Sequence, residues 1–245
     1  MAIIGNYPFL VEPFTEDATG NLSWGLLGNQ LLRCAGMQAG SCGFGFEDME
    51  QYHHVWVLAR LIIDMEEMPR TGQAYNIQTW VTKVYHQFTD RLFTISSPEG
   101  HTFGHAFSTW ALINYETREP MDLAHLPEGN IMDFTAPKTI PLKKAGRCRV
   151  TADCPMKSNP VYYSDLDING HVNSIRYIQM AADLFTQEIC SEGHSLYRVE
   201  VGFANETYLG DTLHFYTDGF HDNQAQVDIR RNDGKTAAKV ALFFR

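Results

Sequence analysis

The sequence predicts an α+β fold in which one arrangement occurs twice: a long apolar helix followed by an antiparallel sheet. Segments 22–38 and 172–189 are mostly apolar, and the second has apolar residues at helical spacing, so both are expected to form buried helices. Strand-like runs of hairpin length follow each segment, with glycine and proline between them. A buried helix needs a sheet to cover it, and these runs supply one in each half.

An internal repeat supports this duplication. "ARLIIDMEEMPRTGQ" aligns with "YRVEVGFANETYLGD" at a constant offset, which pairs Gly72 with Gly210. "TGNLSW" aligns with "NGHVNS", which pairs Gly20 with Gly170. The two halves therefore agree in element order and in turn positions. A long helix wrapped by an antiparallel sheet is the hot-dog arrangement, so the sequence predicts a tandem double hot-dog fold.

The predicted elements divide the chain into two folded parts and a linker. Residues 1–125 contain the first helix, for which Ser23 or Asn21 supplies the N-cap, and then strand-like runs. Residues 126–156 are richer in proline, lysine and arginine, show weak periodicity and are predicted to be a linker. Residues 157–245 contain the second helix and four strand-like runs, with a hairpin turn predicted at "NDG".

Composition excludes several classes of protein. The chain has 245 residues, of which 44% are hydrophobic and 20% charged, as in ordinary globular proteins. It has no apolar run long enough to span a membrane and no basic-then-apolar start typical of a secretory signal. Five cysteines without a C-x-x-C pair suit a reducing compartment, so a cytoplasmic location is expected. The net charge of −10 argues against a general nucleic-acid binder.

One stretch, "SDLDINGHVNSIRY" at 164–177, has the pattern of a reactive site. Asp167, Asn169, His171 and Asn173 fall at every second position before the second helix, so an extended backbone would place them on one face. The first N–H groups of a helix lack intrahelical partners and favour developing negative charge. A plain alternative is a capped helix start with Asx turns, and Asn173 is predicted to be such a cap.

The same stretch resembles a known signature. "DLDINGHVNSIRY" is similar to the D-x-N-x-H-V-N-x-x-x-Y motif of acyl-ACP thioesterases, and to the broader D-x-x-G-H-V-N pattern of acyl-CoA thioesterases of the 4-hydroxybenzoyl-CoA type. "WVLARLIIDMEEMPRTGQAYNIQTW", Arg91, "FSTWALIN" and "TREP" resemble first-half segments of the acyl-ACP group. The resemblance covers nearly the whole chain and favours that group.

The resemblance implies hydrolysis of acyl-ACP to a free fatty acid and the carrier thiol, without a metal or an organic cofactor. The catalytic residues it implies are Asp167, Asn169, His171 and Glu206. His171 would hold or deprotonate a water molecule, and Glu206 would be the general base or would order that water. The plant enzymes usually have cysteine after this glutamate, whereas this chain has Thr207, so direct attack by water is expected.

The repeat predicts a division of labour between the halves. Where the second half has Asn169, His171 and Glu206, the first half has residues without an imidazole or that carboxylate. Only the second half is therefore expected to be catalytic, and the first half is expected to hold the acyl chain. The residues predicted to bind that chain are Leu26, Gln30, Leu31, Cys34, Met68, Trp80 and Trp110.

The predicted linker is the candidate docking surface for the carrier. It concentrates basic side chains at Lys138, Lys143, Lys144, Arg147 and Arg149. Acyl carrier protein is acidic, so an acidic enzyme needs a local positive patch to steer their encounter. A solvated linker is the alternative. Three alternatives to the activity also stay open, namely an acyl-CoA thioesterase, a non-catalytic acyl-binding module and a hot-dog dehydratase, and the chain could be a monomer or a homodimer.

Overall fold

The computed structural model describes residues 3–126, 129–190 and 194–245. Pro127 and Glu128, which belong to the predicted linker, lie outside the described residues. The chain divides into two compact units, Met1–Lys143 (unit 1) and Lys144–Arg245 (unit 2). Each unit contains an apolar helix and an antiparallel sheet, which confirms the predicted α+β tandem double hot-dog fold.

The described residues of unit 1 form five strands and two helices. Its sheet is antiparallel with the order β1-β3-β4-β5-β2. In chain order the elements are β1 (Gly5–Leu10), α1 (Trp24–Ser41), α2 (Phe46–Glu50), β2 (His54–Met65), β3 (Ala74–Val84), β4 (Phe88–Ser96), β5 (Thr102–Asn114) and a 3₁₀ turn (Ile131–Phe134).

Helix α1 begins where the sequence predicts and packs against β1 and β3. The Ser23 hydroxyl accepts a hydrogen bond from the Leu26 N–H at 3.3 Å, so of the two predicted caps Ser23 is the one used. Leu27, Leu31 and Cys34 recur at helical spacing and are fully buried. This apolar face therefore fixes the helix on its sheet.

Unit 2 repeats the arrangement, with six strands among the residues that the structure describes there. The order is β7-β11-β10-β8-β6, all antiparallel, and β9 pairs with β10. In chain order the elements are β6 (Lys157–Pro160), a 3₁₀ turn (Tyr163–Asp165), α3 (Ser174–Ala182), a 3₁₀ turn (Asp183–Phe185), α4 (Thr186–Cys190), β7 (Leu196–Phe203), β8 (Thr212–Tyr216), β9 (Phe220–His221), β10 (Gln224–Arg230) and β11 (Thr236–Phe244).

The second predicted helix is interrupted. The expected single helix over 172–189 is instead α3 and α4, joined by the 3₁₀ turn at Asp183–Phe185. The Thr186 hydroxyl donates to the Asp183 carbonyl oxygen at 3.0 Å, and such a bond to the preceding turn tightens and bends a helix. Helix α3 still buries its apolar face against β7 and β11.

The hairpin turn that the sequence predicts in unit 2 is present. The hairpin predicted at "NDG" joins β10 to β11, where Gly234 has a φ of +77° and its N–H donates to the Arg231 carbonyl oxygen.

Among the residues that the structure describes, no helix is long and apolar enough to cross a membrane.

Candidate active site

A tight loop, Asp167 to His171, leads the chain of unit 2 towards helix α3. Oδ1 of Asp167 accepts hydrogen bonds from the backbone N–H groups of Asn169 and His171, at 2.8 and 3.2 Å. The Asp167 N–H donates to the His171 carbonyl oxygen at 2.8 Å, and Gly170 has a φ of +74°, which favours glycine. The Asp167 carboxylate therefore fixes the shape of this loop, as in an Asx turn.

The loop lies beside the segment that carries Glu206. His171 and Tyr208 form an antiparallel β-bridge, and the Val172 N–H donates to the Thr207 carbonyl oxygen at 2.9 Å. Side chains alternate along an extended segment, so Glu206 and Tyr208 share one side while Thr207 points to the other. This pairing brings two distant parts of the sequence to the start of α3.

The His171 imidazole and the Glu206 carboxylate meet at this bridge. Nδ1 of His171 lies 3.8 Å from Oε1 of Glu206, and the two side chains are 26% and 25% exposed. That separation is too long for a direct hydrogen bond and suits a bridging water molecule. The pair has the geometry to order a water and to remove its proton.

Tyr208 contacts both members of the pair. Its hydroxyl donates to Oε2 of Glu206 at 2.9 Å. Its ring meets the His171 ring edge to face, with 4.9 Å between centroids and 90° between planes. The sequence analysis did not select Tyr208, although its two-residue separation from Glu206 was the available signal. Tyr208 is therefore placed to hold the carboxylate and the imidazole together.

Thr207, at the position where the plant motif has cysteine, faces the core. Its side chain is fully buried and its hydroxyl accepts a hydrogen bond from the Tyr177 hydroxyl at 2.8 Å. Burial is the main reason that the pKa of Tyr177 rises to about 12. Both hydroxyl groups therefore belong to the packing of α3 and not to the His171–Glu206 side of the segment.

Buried polar contacts hold the start of α3. The Asp165 carboxylate is nearly fully buried and pairs with the Arg176 guanidinium at 2.9 Å, while the Asp165 carbonyl oxygen accepts the Asn173 N–H at 2.8 Å. Oδ1 of Asn173 accepts the Ile175 N–H at 2.8 Å, which confirms the predicted cap. The helix start is therefore fixed relative to the loop.

A second contact holds the backbone of Glu206. Nη1 of Arg231 donates to the Glu206 carbonyl oxygen at 2.7 Å, and Nη2 of the same side chain lies 2.9 Å from the Asp233 carboxylate. Asn169, by contrast, is exposed in the loop, and its backbone N–H donates to the Asp167 carboxylate. The structure thus brings the side chains of His171, Glu206 and Tyr208 together. Asp167 holds the backbone of the loop that carries His171.

Unit 1 has the same local backbone with different side chains. Oδ1 of Asp17 accepts the backbone N–H groups of Thr19 and Asn21, at 2.8 and 3.3 Å, and Gly20 has a φ of +78°. Asn21 forms a bridge with Arg70, as His171 does with Tyr208. By this register the equivalent of Glu206 is Met68. Unit 1 therefore lacks the imidazole and the carboxylate at this place.

The predicted chain-binding residues lie in several environments of unit 1. Leu31, Cys34 and Trp80 are fully buried, while Leu26, Gln30 and Met68 are partly buried. The Gln30 side chain accepts a hydrogen bond from the Tyr75 hydroxyl. Trp110 lines a cavity of about 100 Å³ between α1 and the sheet.

The five predicted docking residues divide between the units. In unit 1, Lys138 donates to Oε1 of Gln78 at 3.0 Å and lies over the Trp80 ring, and Lys143 is exposed. In unit 2, the remaining three are exposed: Lys144, Arg147 and Arg149. The backbone here is held to the unit 2 strands, because the N–H of Gly146 donates to Glu200 and that of Arg149 to Gln226.

Comparisons with known proteins give one consistent result. Residues 6–125 match the model of the acyl-ACP thioesterase N-terminal domain, and residues 150–245 match that of the C-terminal domain. A crystal structure of an acyl-ACP thioesterase from Bacteroides thetaiotaomicron aligns with a TM-score of 0.92 and 40% identity, covering 99% of this chain and 98% of that one. The 12:0-ACP thioesterase from Umbellularia californica aligns with a TM-score of 0.85 and 19% identity over 100% and 98% of the two chains, which supports the fold alone.

Curated relatives are longer than this chain. Oleoyl-acyl carrier protein thioesterase 1 of Arabidopsis thaliana is 26% identical over 84% of this chain and 61% of its own length. Palmitoyl-acyl carrier protein thioesterase of Cuphea hookeriana is 29% identical over 83% of this chain and 52% of its own length. The chain thus spans between half and two thirds of the length of these relatives.

Proposed function

This chain belongs to the acyl-ACP thioesterase family, and we propose that it hydrolyses the thioester bond of acyl-ACP, releasing a free fatty acid and the thiol of the carrier. The observation that supports this most directly is the His171–Glu206 pair, 3.8 Å apart at the start of α3. A pair of this kind can activate water, which is the nucleophile that thioester hydrolysis needs.

The proposed reaction uses water and no covalent enzyme intermediate. A water molecule between His171 and Glu206 attacks the thioester carbonyl carbon, and one of the two side chains accepts its proton. The positive end of the α3 dipole and the side-chain amide of Asn169 stabilise the oxygen anion of the tetrahedral intermediate. Its collapse breaks the carbon–sulfur bond, and the proton passes to the leaving thiolate. Asp167 acts by shaping the loop that carries Asn169 and His171.

The two units take different parts of the substrate in this proposal. Unit 2 carries the chemistry, because Asn21 and Met68 of unit 1 replace the histidine and the glutamate. Unit 1 holds the acyl chain, and Trp110, which lines its cavity, supports that role. The five free cysteines agree with the predicted cytoplasmic, reducing environment.

A thiol-release assay tests the proposal. Matched acyl-ACP and acyl-CoA substrates with medium and long saturated chains are compared at equal concentration. We expect faster thiol release from acyl-ACP. Faster release from acyl-CoA would instead support an acyl-CoA thioesterase, and binding of acyl-ACP with no release of thiol would support a silent acyl-binding module. Either of these results would contradict the proposal.

Replacing Tyr208 with phenylalanine tests its positioning role. The variant loses the hydroxyl that donates to Glu206 but keeps the ring against His171. A buried hydrogen bond to a charged group contributes about 1.5–3 kcal/mol. This site is partly exposed to solvent, which weakens the bond, so we expect kcat to fall by about 5- to 20-fold. The lost donor disfavours the ionised carboxylate, so the acidic limb of the kcat/KM profile should move to higher pH.

Tyr177→Phe is the matched control for Tyr208→Phe. It removes a hydroxyl from a neighbouring tyrosine whose partner, Thr207, faces the core. We expect it to lower the free energy of unfolding by about 1 kcal/mol while leaving the pH profile in place. Equal pH profiles for Tyr208→Phe and the unmodified protein would contradict the positioning role.

Charge reversal tests the proposed docking of acyl carrier protein. We expect Lys143→Glu, Lys144→Glu and Arg147→Glu together to lower kcat/KM for acyl-ACP by about 10-fold at low salt, and by less at high salt, because screening weakens steering between exposed charges. An acyl-pantetheine substrate, which lacks the acidic carrier, should be hydrolysed at the unmodified rate. Lys83→Glu, an exposed lysine outside the segment, is the control. An unchanged kcat/KM for acyl-ACP at low salt would refute this docking surface.

A further inference from the structure

The backbone that carries Glu206 is held by an arginine side chain. Glu206 lies in an irregular segment after β7. Beside it, the Thr207 carbonyl oxygen accepts the Val172 N–H at 2.9 Å, as in a strand pair. The Glu206 carbonyl oxygen instead accepts a hydrogen bond from Nη1 of Arg231, at 2.7 Å. The orientation of this peptide group therefore depends on the guanidinium.

Arg231 is itself fixed in the hairpin turn between β10 and β11. Its backbone N–H donates to the Lys235 carbonyl oxygen at 2.9 Å, and its Nη2 lies 2.9 Å from the Asp233 carboxylate. The Lys235 N–H and the Arg231 charge lower the pKa of the Asp233 carboxyl, so this group is ionised at neutral pH. Because a guanidinium is a rigid planar fork, a carboxylate that binds Nη2 also sets the direction of Nη1.

One donor of Arg231 is left without an acceptor. Its Nε is buried and has no hydrogen-bond partner among the residues that the structure describes, although the side chain as a whole is 24% exposed. A buried N–H without an acceptor is unfavourable, and native proteins contain few of them. The side chain thus keeps an orientation that costs one hydrogen bond and directs Nη1 to Glu206 and Nη2 to Asp233.

The internal repeat shows that the backbone does not require this arginine. In the equivalent hairpin turn of unit 1, between β4 and β5, the Ser97 carbonyl oxygen accepts the N–H three residues further on, as the Arg231 carbonyl oxygen does. The Ser97 hydroxyl accepts N–H groups of its own turn. The counterpart of Glu206 in unit 1 is Met68. Unit 2 thus has an arginine at this turn together with the glutamate, and unit 1 has neither at the corresponding positions.

Resting on the proposed function, we propose that Arg231 is a positioning residue for thioester hydrolysis and that it acts through Glu206. Its guanidinium fixes the peptide group of Glu206, which keeps the carboxylate 3.8 Å from the His171 imidazole, the separation that suits one bridging water molecule. Asp233 fixes the guanidinium in turn. All of these side chains belong to unit 2.

Substitution of Arg231 tests this role. Arg231→Ala should lower kcat for acyl-ACP by about 10- to 100-fold, because a small misplacement of reacting groups has effects of this size. KM should change by less than about 2-fold, because the arginine holds no part of the substrate. Arg231→Lys keeps a donor for the carbonyl oxygen but lacks the planar fork, so it should recover part of the lost kcat.

The decisive measurement repeats Arg231→Ala together with Glu206→Gln. A residue that acts only by placing the Glu206 carboxylate has nothing to place once that carboxylate is absent. Arg231→Ala should therefore lower kcat by less than about 2-fold when Glu206→Gln is already present. Single-turnover thiol release measures all four proteins. A general loss of structure would lower kcat by the same factor with and without Glu206→Gln.

The neighbouring arginine is the matched control. Nη2 of Arg230 lies 2.9 Å from the Asp228 carboxylate, so this side chain has an ion pair of its own. Arg230→Ala should change kcat by the same factor whether or not Glu206→Gln is present. If Arg231→Ala fails to fold, Asp233→Asn decides, because the Asp233 side chain is 39% exposed and its loss is mild. This variant should lower kcat by about 3-fold, and only while Glu206 is present.

The outcomes separate this inference from the proposed function. An unchanged kcat for Arg231→Ala, or the same loss with and without Glu206→Gln, would overturn the inference and leave the thioesterase proposal standing. The same two outcomes for Asp233→Asn would overturn it where Arg231→Ala does not fold. If the unmodified protein released no thiol from acyl-ACP, the proposed function itself would be contradicted.

Discussion

Replacing His171 with alanine is expected to lower kcat for acyl-ACP hydrolysis by about 100- to 10,000-fold, the usual contribution of a general acid or base. The imidazole lies 3.8 Å from the Glu206 carboxylate, and its removal leaves the water with a single proton acceptor. The loop should keep its shape, because Asp167 bonds to the backbone N–H of residue 171 and not to its side chain. Steady-state thiol release measures the effect, and thermal unfolding shows whether the fold is intact.

The internal repeat supplies the control for His171→Ala. Asn21 occupies the same position in the Asp17 turn of unit 1 and forms the corresponding β-bridge. Asn21→Ala should leave kcat within about 2-fold of the unmodified value, because the prediction assigns no reacting group to unit 1. If Asn21→Ala lowered kcat as much as His171→Ala does, the assignment of the chemistry to unit 2 would be wrong.

A double variant asks whether His171 and Glu206 act together. If both serve one water molecule, each single substitution removes most of the shared effect. His171→Ala combined with Glu206→Gln should then lower kcat little further than the more damaging single variant. Multiplicative losses would mean that the two side chains act in separate steps, and the proposal of one water held between them would fail.

The sequence predicted those parts of the site that depend on backbone pattern. The alignment of Gly20 with Gly170 predicted two equivalent turns, and both glycines have positive φ. The alternation of polar residues predicted an extended stretch before α3, which is wrong, because residues 167–170 form the Asx-type turn that was the alternative. Glu206 was selected as a catalytic residue because it matches the family motif, and the spacing of residues alone did not identify it. The structure shows the same pairing in both units, because His171 bridges to Tyr208 as Asn21 bridges to Arg70. The catalytic roles of these residues stay predictions.

Side-chain partners across the fold could not be predicted in this way. The hydroxyl of Tyr208 reaches Glu206 because both lie on one side of a bridged segment, and which side meets His171 depends on tertiary pairing. The 3₁₀ turn between α3 and α4, where the Thr186 hydroxyl donates to the Asp183 carbonyl oxygen, interrupts an otherwise helical pattern. Arg91, buried on β4, donates to Gln38 and Thr79, and these contacts join separate parts of the sequence that no local pattern connects.

Glu200→Gln should lower the free energy of unfolding of unit 2 by about 3–5 kcal/mol, because the buried Arg198 charge loses the carboxylate that neutralises it. Arg198 and Glu200 are 5% and 7% exposed on β7, and Nη2 of Arg198 lies 2.7 Å from Oε1 of Glu200. The other carboxylate oxygen accepts the Gly146 N–H at 2.8 Å, so Glu200 also ties the chain before β6 to the sheet. Urea unfolding measures the loss.

The matched control is an ion pair at the surface. His53 and Glu116 lie 3.1 Å apart, but their side chains are 51% and 62% exposed. Solvent screens such a pair, so Glu116→Gln should change the free energy of unfolding by less than about 0.5 kcal/mol. A loss for Glu200→Gln as small as this would show that the Arg198 guanidinium reaches water or another acceptor when Glu200 is neutral.

Replacing both members of the buried pair separates charge burial from packing. The loss of stability in Glu200→Gln is attributed to the buried Arg198 charge without its carboxylate. If so, Arg198→Met combined with Glu200→Leu should recover most of the lost stability, because an apolar pair of similar size leaves no buried charge. The Gly146 N–H would lose its acceptor in that variant, so about 1–3 kcal/mol should stay lost. A double variant less stable than Glu200→Gln would mean that the ion pair itself, and not the avoidance of an unpaired charge, stabilises this part of unit 2.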